Sequence, residues 1–345
     1  MIKTNHYHGM LSYRNLFALL FVLCFTSHDF ISTVDASEGD RDSHYRSCLH
    51  QCQSQCLLPV DSTKSHLMTN SPVSYISSSE LSYSERLIGW TCNTNCQYLC
   101  MWHNIQYRQQ YNLPIVKYYG KWPFIRVYGI QEFFSVLFSV INVIPHMTGA
   151  IQYYKSVDDT YVHKYWWLSY SVVSCNTWLW STVFHARDTL LTERLDYFCA
   201  SFGIVYASIV TVIRVLNIKP LKYKLCVLVP WLTLFILHIS YLHFIYFDYG
   251  YNMTMSLLSG VLYSGIWCVW GVRHNSRPYV YKIYVCTLLL WLAALCEIFD
   301  FAPFYHLLDA HAIWHGLTPP ITLLFYSFLI DDAQYELQQS THKAR

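Results

Sequence analysis

Three histidines, a serine and an aspartate have the types and spacing of a metal-assisted hydrolytic site. Ser181 and His185 lie in the run Trp180-Ser181-Thr182-Val183-Phe184-His185, and Asp196 follows eleven residues later. His311 and His315 lie in Asp309-Ala310-His311-Ala312-Ile313-Trp314-His315. Residues four apart on a helix share a face, so each run presents two polar groups one turn apart. The surroundings are strongly apolar, where ionisable side chains are costly and mark function. Three histidines leave one position of a zinc ion open. A carboxylate can take a proton from the attacking water, and a hydroxyl can orient a ligand or donate to a developing oxyanion. His185, His311 and His315 are therefore the candidate zinc ligands, with Asp196 and Ser181 as candidate catalytic residues. A nucleophilic Ser-His-Asp triad is the other chemistry these types allow, but Ser181 has no G-x-S-x-G context.

Composition says what must hold these groups. The chain has 345 residues, 54% hydrophobic, 18% aromatic and 13% charged. Soluble domains carry about 25% charged residues. The formal net charge of +2 gives no basis for a nucleic-acid partner. Seven apolar runs, at 131–153, 165–184, 195–216, 225–247, 253–272, 283–301 and 311–330, are each near the length of a membrane span. The expected fold is an all-α polytopic membrane protein of seven transmembrane helices over 130–331, with a tail at 332–345.

Residues 1–37 read as a secretory signal. Lys3 and Arg14 are basic, 16–25 form a short apolar core, and Ala36 and Ser37 are small. An uncleaved anchor is the alternative. The segment 38–129 carries Cys48, Cys52 and Cys56, then Cys92, Cys96 and Cys100. Each triplet lies on one helical face, and two such helices could be stapled by three bridges. Six cysteines behind a signal read as a disulfide framework, although they permit 15 pairings. A metal cluster is the rival reading. Between the triplets, 61–84 is rich in serine and threonine and reads as a loop.

Basic residues set the orientation. The loop after the third run holds Arg214, Lys219, Lys222 and Lys224, and that after the fifth holds Arg273, Arg277 and Lys282. The first loop holds Lys155 and Lys164, whereas the fourth and sixth hold no lysine or arginine and the second, at 186–194, is mixed, with Arg187, Asp188, Glu193 and Arg194. The odd loops and the C-terminus are thus cytosolic and the cysteine-rich segment lumenal. This topology places Ser181, His185, Asp196, His311 and His315 at one depth, just inside the lumenal boundary. Glu297, Asp300 and Asp309 fall at the same level. Asp309 is a candidate hydrogen-bond partner for a ligand histidine, and Glu297 and Asp300 are supporting or structural groups. His238 and His243, without a matching carboxylate, read as interhelical hydrogen-bonders.

Ser-x3-His, the following Asp, and His-x3-His in the last run resemble the superfamily of seven-span hydrolases that includes the alkaline ceramidases and the progestin/adiponectin receptors. Further stretches narrow the resemblance. They are Gly89-Trp90-Thr91-Cys92, Cys100-Met101-Trp102, Gly120-Lys121-Trp122-Pro123-Phe124, Asp196-Tyr197-Phe198 and Phe247-Asp248-Tyr249-Gly250-Tyr251-Asn252. With these the chain resembles the GPI-anchor fatty-acid-remodelling family of post-GPI-attachment-to-proteins factor 3, from about residue 40 to 332. The resemblance implies phospholipase A2-type removal of the sn-2 acyl chain from GPI-anchored proteins, within the membrane lipid of the endoplasmic reticulum or Golgi apparatus. An amide hydrolase of ceramidase type, and a seven-span receptor or scaffold with a structural metal, are the alternatives.

Overall fold

The computed structural model describes residues 37–56 and 81–344. The signal expected at 1–37 falls outside them except for Ser37, and most of the serine-rich loop also lies outside.

Among the described residues two long helices precede the bundle, α1, Ser43–Cys56, and α2, Cys92–Gln110, each led in by a short helical turn, Glu38–Arg41 and Tyr83–Leu87. Their cysteine faces meet head to tail, so the first cysteine of one pairs with the last of the other: Cys48–Cys100, Cys52–Cys96 and Cys56–Cys92. The sulfurs of Cys56, Cys92 and Cys96 are close enough to surround a cation. Each is already in a disulfide bond, so the metal-cluster reading is set aside. Tyr45, Ile105, Val116 and Tyr118 fill the space around the bridges. Alkylation of denatured, non-reduced protein should therefore leave these six cysteines unmodified. Cys175, Cys199, Cys226, Cys268, Cys286 and Cys296, which are unbridged, should react. Peptide mapping that found several of the first six alkylated would refute the pairing.

The bundle comprises α3 (Phe133–Ser156), α4 (Lys164–Ala186), α5 (Leu190–Val215), α6 (Leu221–Ser240, prolonged by a π-turn to Ile245), α7 (Tyr249–Arg273), α8 (Tyr281–Phe299) and α9 (Ala310–Ala344). Their neighbours close a ring in the order α3, α4, α5, α7, α8, α9 and back to α3, while α6 packs chiefly on α5. Six of the seven are long and apolar enough to cross a membrane. The exception to the expected seven is α4. Its 23 residues suffice in length, but Ser171, Ser174, Asn176, Thr177, Ser181 and His185 lower its apolarity. Four of these, Ser171, Ser174, Ser181 and His185, are buried. A helix packed between α3 and α5 need not be apolar all round, because protein groups rather than lipid meet its polar face.

Close approach and polar cross-links fix α9 against α3. A Cβ at Gly149 of α3 would lie 2.4 Å from the Tyr326 ring, so only glycine lets the two helices come so near. Pro319 has no N–H for the His315 carbonyl one turn back. Asn142 Nδ2 donates to that oxygen at 2.8 Å and Thr318 Oγ1 at 2.9 Å. At the other end of the bundle, Trp167, Trp267, Trp270, Phe325 and Phe328 form a buried aromatic core. Arg214 donates there to both oxygens of Asp332, at 2.6 and 2.7 Å, and Tyr279 donates to the same carboxylate at 2.9 Å. The last helix thus carries a buried ion pair beyond the expected end of its span at residue 330.

Candidate functional site

The helix ends bring the candidate residues to one end of the bundle, the end that carries α1 and α2. His185 is one residue from the end of α4, and His311 is the second residue of α9. His315 lies one turn further in. The ring nitrogens of the three histidines can be chosen to lie within 4.8 Å of one another. His185 and His315 are buried. Asp196 falls in the second turn of α5, not the first, because α5 begins at Leu190. It is buried at 7% exposure, within reach of the charges of His311 and Lys121, and its carboxylate makes no hydrogen bond to a described residue.

Each imidazole is held through Nδ1. His185 Nδ1 donates to Glu132 Oε2 at 2.6 Å, and His311 Nδ1 to Glu297 Oε2 at 2.5 Å. His315 Nδ1 lies 2.9 Å from Ser139 Oγ and 3.4 Å from the Ser135 carbonyl. A carboxylate can only accept here, so Nδ1 carries the proton that holds His185 and His311, and in their neutral forms Nε2 keeps its lone pair; with its proton on Nδ1, facing the Ser135 carbonyl, neutral His315 does the same. Nε2 of His185 and of His311 are 3.3 Å apart. Two nitrogens bound at about 2.0–2.1 Å with a tetrahedral angle stand about 3.3–3.4 Å apart. Two neutral rings at that distance repel unless a proton or a metal ion lies between their nitrogens. The donor set therefore fits a metal ion, with each Nδ1–H fixed by an outer acceptor as metal-binding histidines require.

The structure also finds what the sequence reading missed. Glu132, the residue before α3, had no assigned role, yet it orients His185 and accepts from Lys121 Nζ at 2.6 Å. Lys121 also pairs with Asp188 at 3.1 Å. Burial opposes charge on both groups, but the Lys121 and His185 partners hold Glu132 well below the usual carboxylate range. Asp188 and Glu132 likewise raise Lys121 against its burial. The available signal was an acid directly before an apolar run, at the depth of His185. Ser139 was missed as well. Ser181 reaches His315 only through it, with Oγ–Oγ at 3.0 Å.

Other expectations divide. Glu297, read as supporting or structural, holds His311 and accepts from Tyr249 OH at 3.0 Å. Asp309 caps α9 instead of bonding a ring nitrogen: its Oδ1 accepts from Ala312 N at 2.8 Å. His238 does bond across helices, to Asn252 at 3.1 Å. His243 does not; its Nδ1 is buried without a partner, and its ring meets Phe198 edge-on.

Comparisons with known proteins give the family. Protein PER1 homolog of Schizosaccharomyces pombe is 36% identical over 330 residues, 93% of this chain and 95% of its own. The human protein named GPI-specific phospholipase A2-like PGAP3 is 36% identical over 310 residues, 89% of this chain and 92% of its own. Its Danio rerio namesake is 37% identical over 304 residues, 88% and 92%. The family model described as Per1-like matches residues 82–333. That stretch runs from just before α2, with its three bridged cysteines, through every histidine of the site to the buried Asp332, and the chain belongs to the Per1-like family.

Proposed function

We propose that this chain remodels the lipid of GPI-anchored proteins by metal-dependent hydrolysis of the sn-2 acyl ester, a phospholipase A2-type reaction. The observation that carries the proposal is the meeting of ring nitrogens of His185, His311 and His315 within 4.8 Å at one end of the helix ring, in a relative of proteins named GPI-specific phospholipase A2-like. His185, His311 and His315 would hold Zn2+. Zinc on three neutral nitrogens supplies a Lewis acid and brings the pKa of a coordinated water to about 7. Glu132 and Glu297 fix two of the rings with Nε2 aimed inward. Ser139 steadies the third, and Ser181 acts on it through Ser139. Asp196, buried beside His311, accepts the proton of the attacking water on a carboxylate oxygen and returns it to the departing glycerol oxygen.

The depth of the site suits an ester at the level of the headgroups. The disulfides and the scarcity of basic residues in the loops at the site end support a lumenal site. The protein part of a GPI-anchored substrate would then stand in the lumen beside α1 and α2, with the enzyme in the endoplasmic reticulum or Golgi membrane. The domain limits follow the same reading: 1–37 a signal, 38–129 a lumenal segment, 130–331 the hydrolase bundle and 332–345 a cytosolic extension.

Incubation of the purified protein with a defined GPI-phospholipid, with zinc analysis of the same sample, tests this. Release of the sn-2 fatty acid in proportion to bound zinc is the expected result. Release from ceramide but not from the GPI lipid would replace the ester reading with the amide one.

A further inference from the structure

The segment between α2 and α3 reaches the metal-binding histidines in an unexpected way. Tyr118 and Lys121 pair across a tight turn, with N···O distances of 2.8 and 3.0 Å. Tyr119 and Gly120 inside it have φ of 50° and 78°, the left-handed pair that a two-residue turn of this hand requires. The outer side of the turn is held by the residues before α1. Tyr119 N donates to both oxygens of Asp40, at 2.8 and 3.0 Å. Gly39 N donates to the Lys117 carbonyl at 3.1 Å. These residues lead directly into α1, which three disulfides staple to α2. Arg108 of α2 closes the unit by pairing with Glu38 at 2.8 Å and Asp42 at 3.1 Å.

The inner side of the same turn touches the support of one histidine and the end of the helix that carries the support of another. Lys121 Nζ donates to Glu132 Oε1, and Glu132 Oε2 accepts from His185 Nδ1, both at 2.6 Å. Trp122 Nε1 donates to Asp300 Oδ1 at 2.9 Å, and Lys117 pairs with the same carboxylate. Asp300 closes α8 three residues after Glu297, the partner of His311. The Glu132 side chain is 5% exposed, and a buried carboxylate keeps its place only where its charge is matched.

We propose that 117–122 is a positioning clamp through which the disulfide-stapled segment sets the geometry of the metal-binding histidines. Lys121 is its principal positioning residue, acting on His185 through Glu132. The cysteine-rich segment is then a working part of the metal centre and not only a neighbour that meets substrate. The proposal rests on the reading of His185, His311 and His315 as a metal site.

Zinc affinity of the purified full-length chain, measured by competition with a chelator, tests it. Lys121→Met should weaken binding by up to about 10- to 100-fold, the effect of losing the outer partner of a metal-bound histidine, here Glu132, which Lys121 holds in place. Lys121→Arg, which keeps the charge, should recover part of that loss. Asp40→Ala frees the turn from the stapled segment without touching Lys121, and should weaken zinc in the same direction by less. Trp122→Phe removes only one N–H and serves the same purpose should Lys121→Met fail to fold. Unfolding of the metal-free protein monitors the fold of each variant. Unchanged affinity in Lys121→Met or, in its place, Trp122→Phe overturns the clamp. Unchanged affinity in Asp40→Ala alone overturns the part given to the stapled segment. Absence of zinc binding in the wild-type chain instead refutes the metal site on which the clamp depends.

Discussion

Purified His311→Ala should lose bound zinc and hydrolytic activity together, whereas Asp196→Asn should keep the metal and lose turnover. His311 supplies one of two Nε2 atoms 3.3 Å apart, so its removal leaves two histidines and no tetrahedral set. Asn at 196 preserves size but cannot take a proton. If Asp196 is the base, turnover should fall by about 10² to 10⁴, the range of general acid–base catalysis. If Asp196 instead only supports the metal centre, zinc affinity should drop about 10- to 100-fold. Metal content and turnover measured on one preparation separate these outcomes. Full zinc in His311→Ala would remove that residue from the ligand set and with it the mechanism proposed above.

The second large effect lies at the opposite end of the bundle. Asp332→Ala would leave Arg214, whose side chain is 3% exposed, without its bidentate partner and with only the half-buried Glu336 at 3.1 Å. Breaking a buried pair in this way costs about 3–5 kcal/mol. The unfolding midpoint in detergent should fall clearly. Zinc content of the protein that remains folded should not change, because Arg214 and Asp196 are about 27 Å apart along α5 at 1.5 Å per residue. The double variant Arg214→Met with Asp332→Leu should recover part of the loss, since neither member of the buried pair is then left alone and Arg277 still pairs with Glu336 at 2.8 Å. An unchanged midpoint in Asp332→Ala would show that water reaches Arg214.

Glu132 and Lys121 show how a site can be half visible. The three histidines stood out because they interrupt apolar runs at one predicted depth. Their partners did not, because an acid at a helix start and a lysine in a loop are ordinary in any sequence. Asp309 illustrates the reverse. Its place two residues before His311 suggested a partner for a ring nitrogen, but the nearest unsatisfied donors were the first N–H groups of α9, and it capped them. Asp196 was placed a turn too near the helix start, because apolarity begins at Leu195 whereas the helix begins with the Thr189 cap.

What the sequence by itself determined is local. Apolar runs of about 20 residues must be helices, since lipid offers backbone groups no partner. Spacing of four fixes which histidines and which cysteines share a face. What only the tertiary structure decided is which faces meet. The head-to-tail contact of α1 and α2 chose one disulfide pairing among 15. The close contact at Gly149 seated α9 on α3 and brought Ser139 to His315. The burial of α4 between two neighbours explains why the helix bearing His185 is too polar to be counted among the apolar spans. Such contacts join residues far apart in the chain, and they depend on packing shape, which no local periodicity encodes.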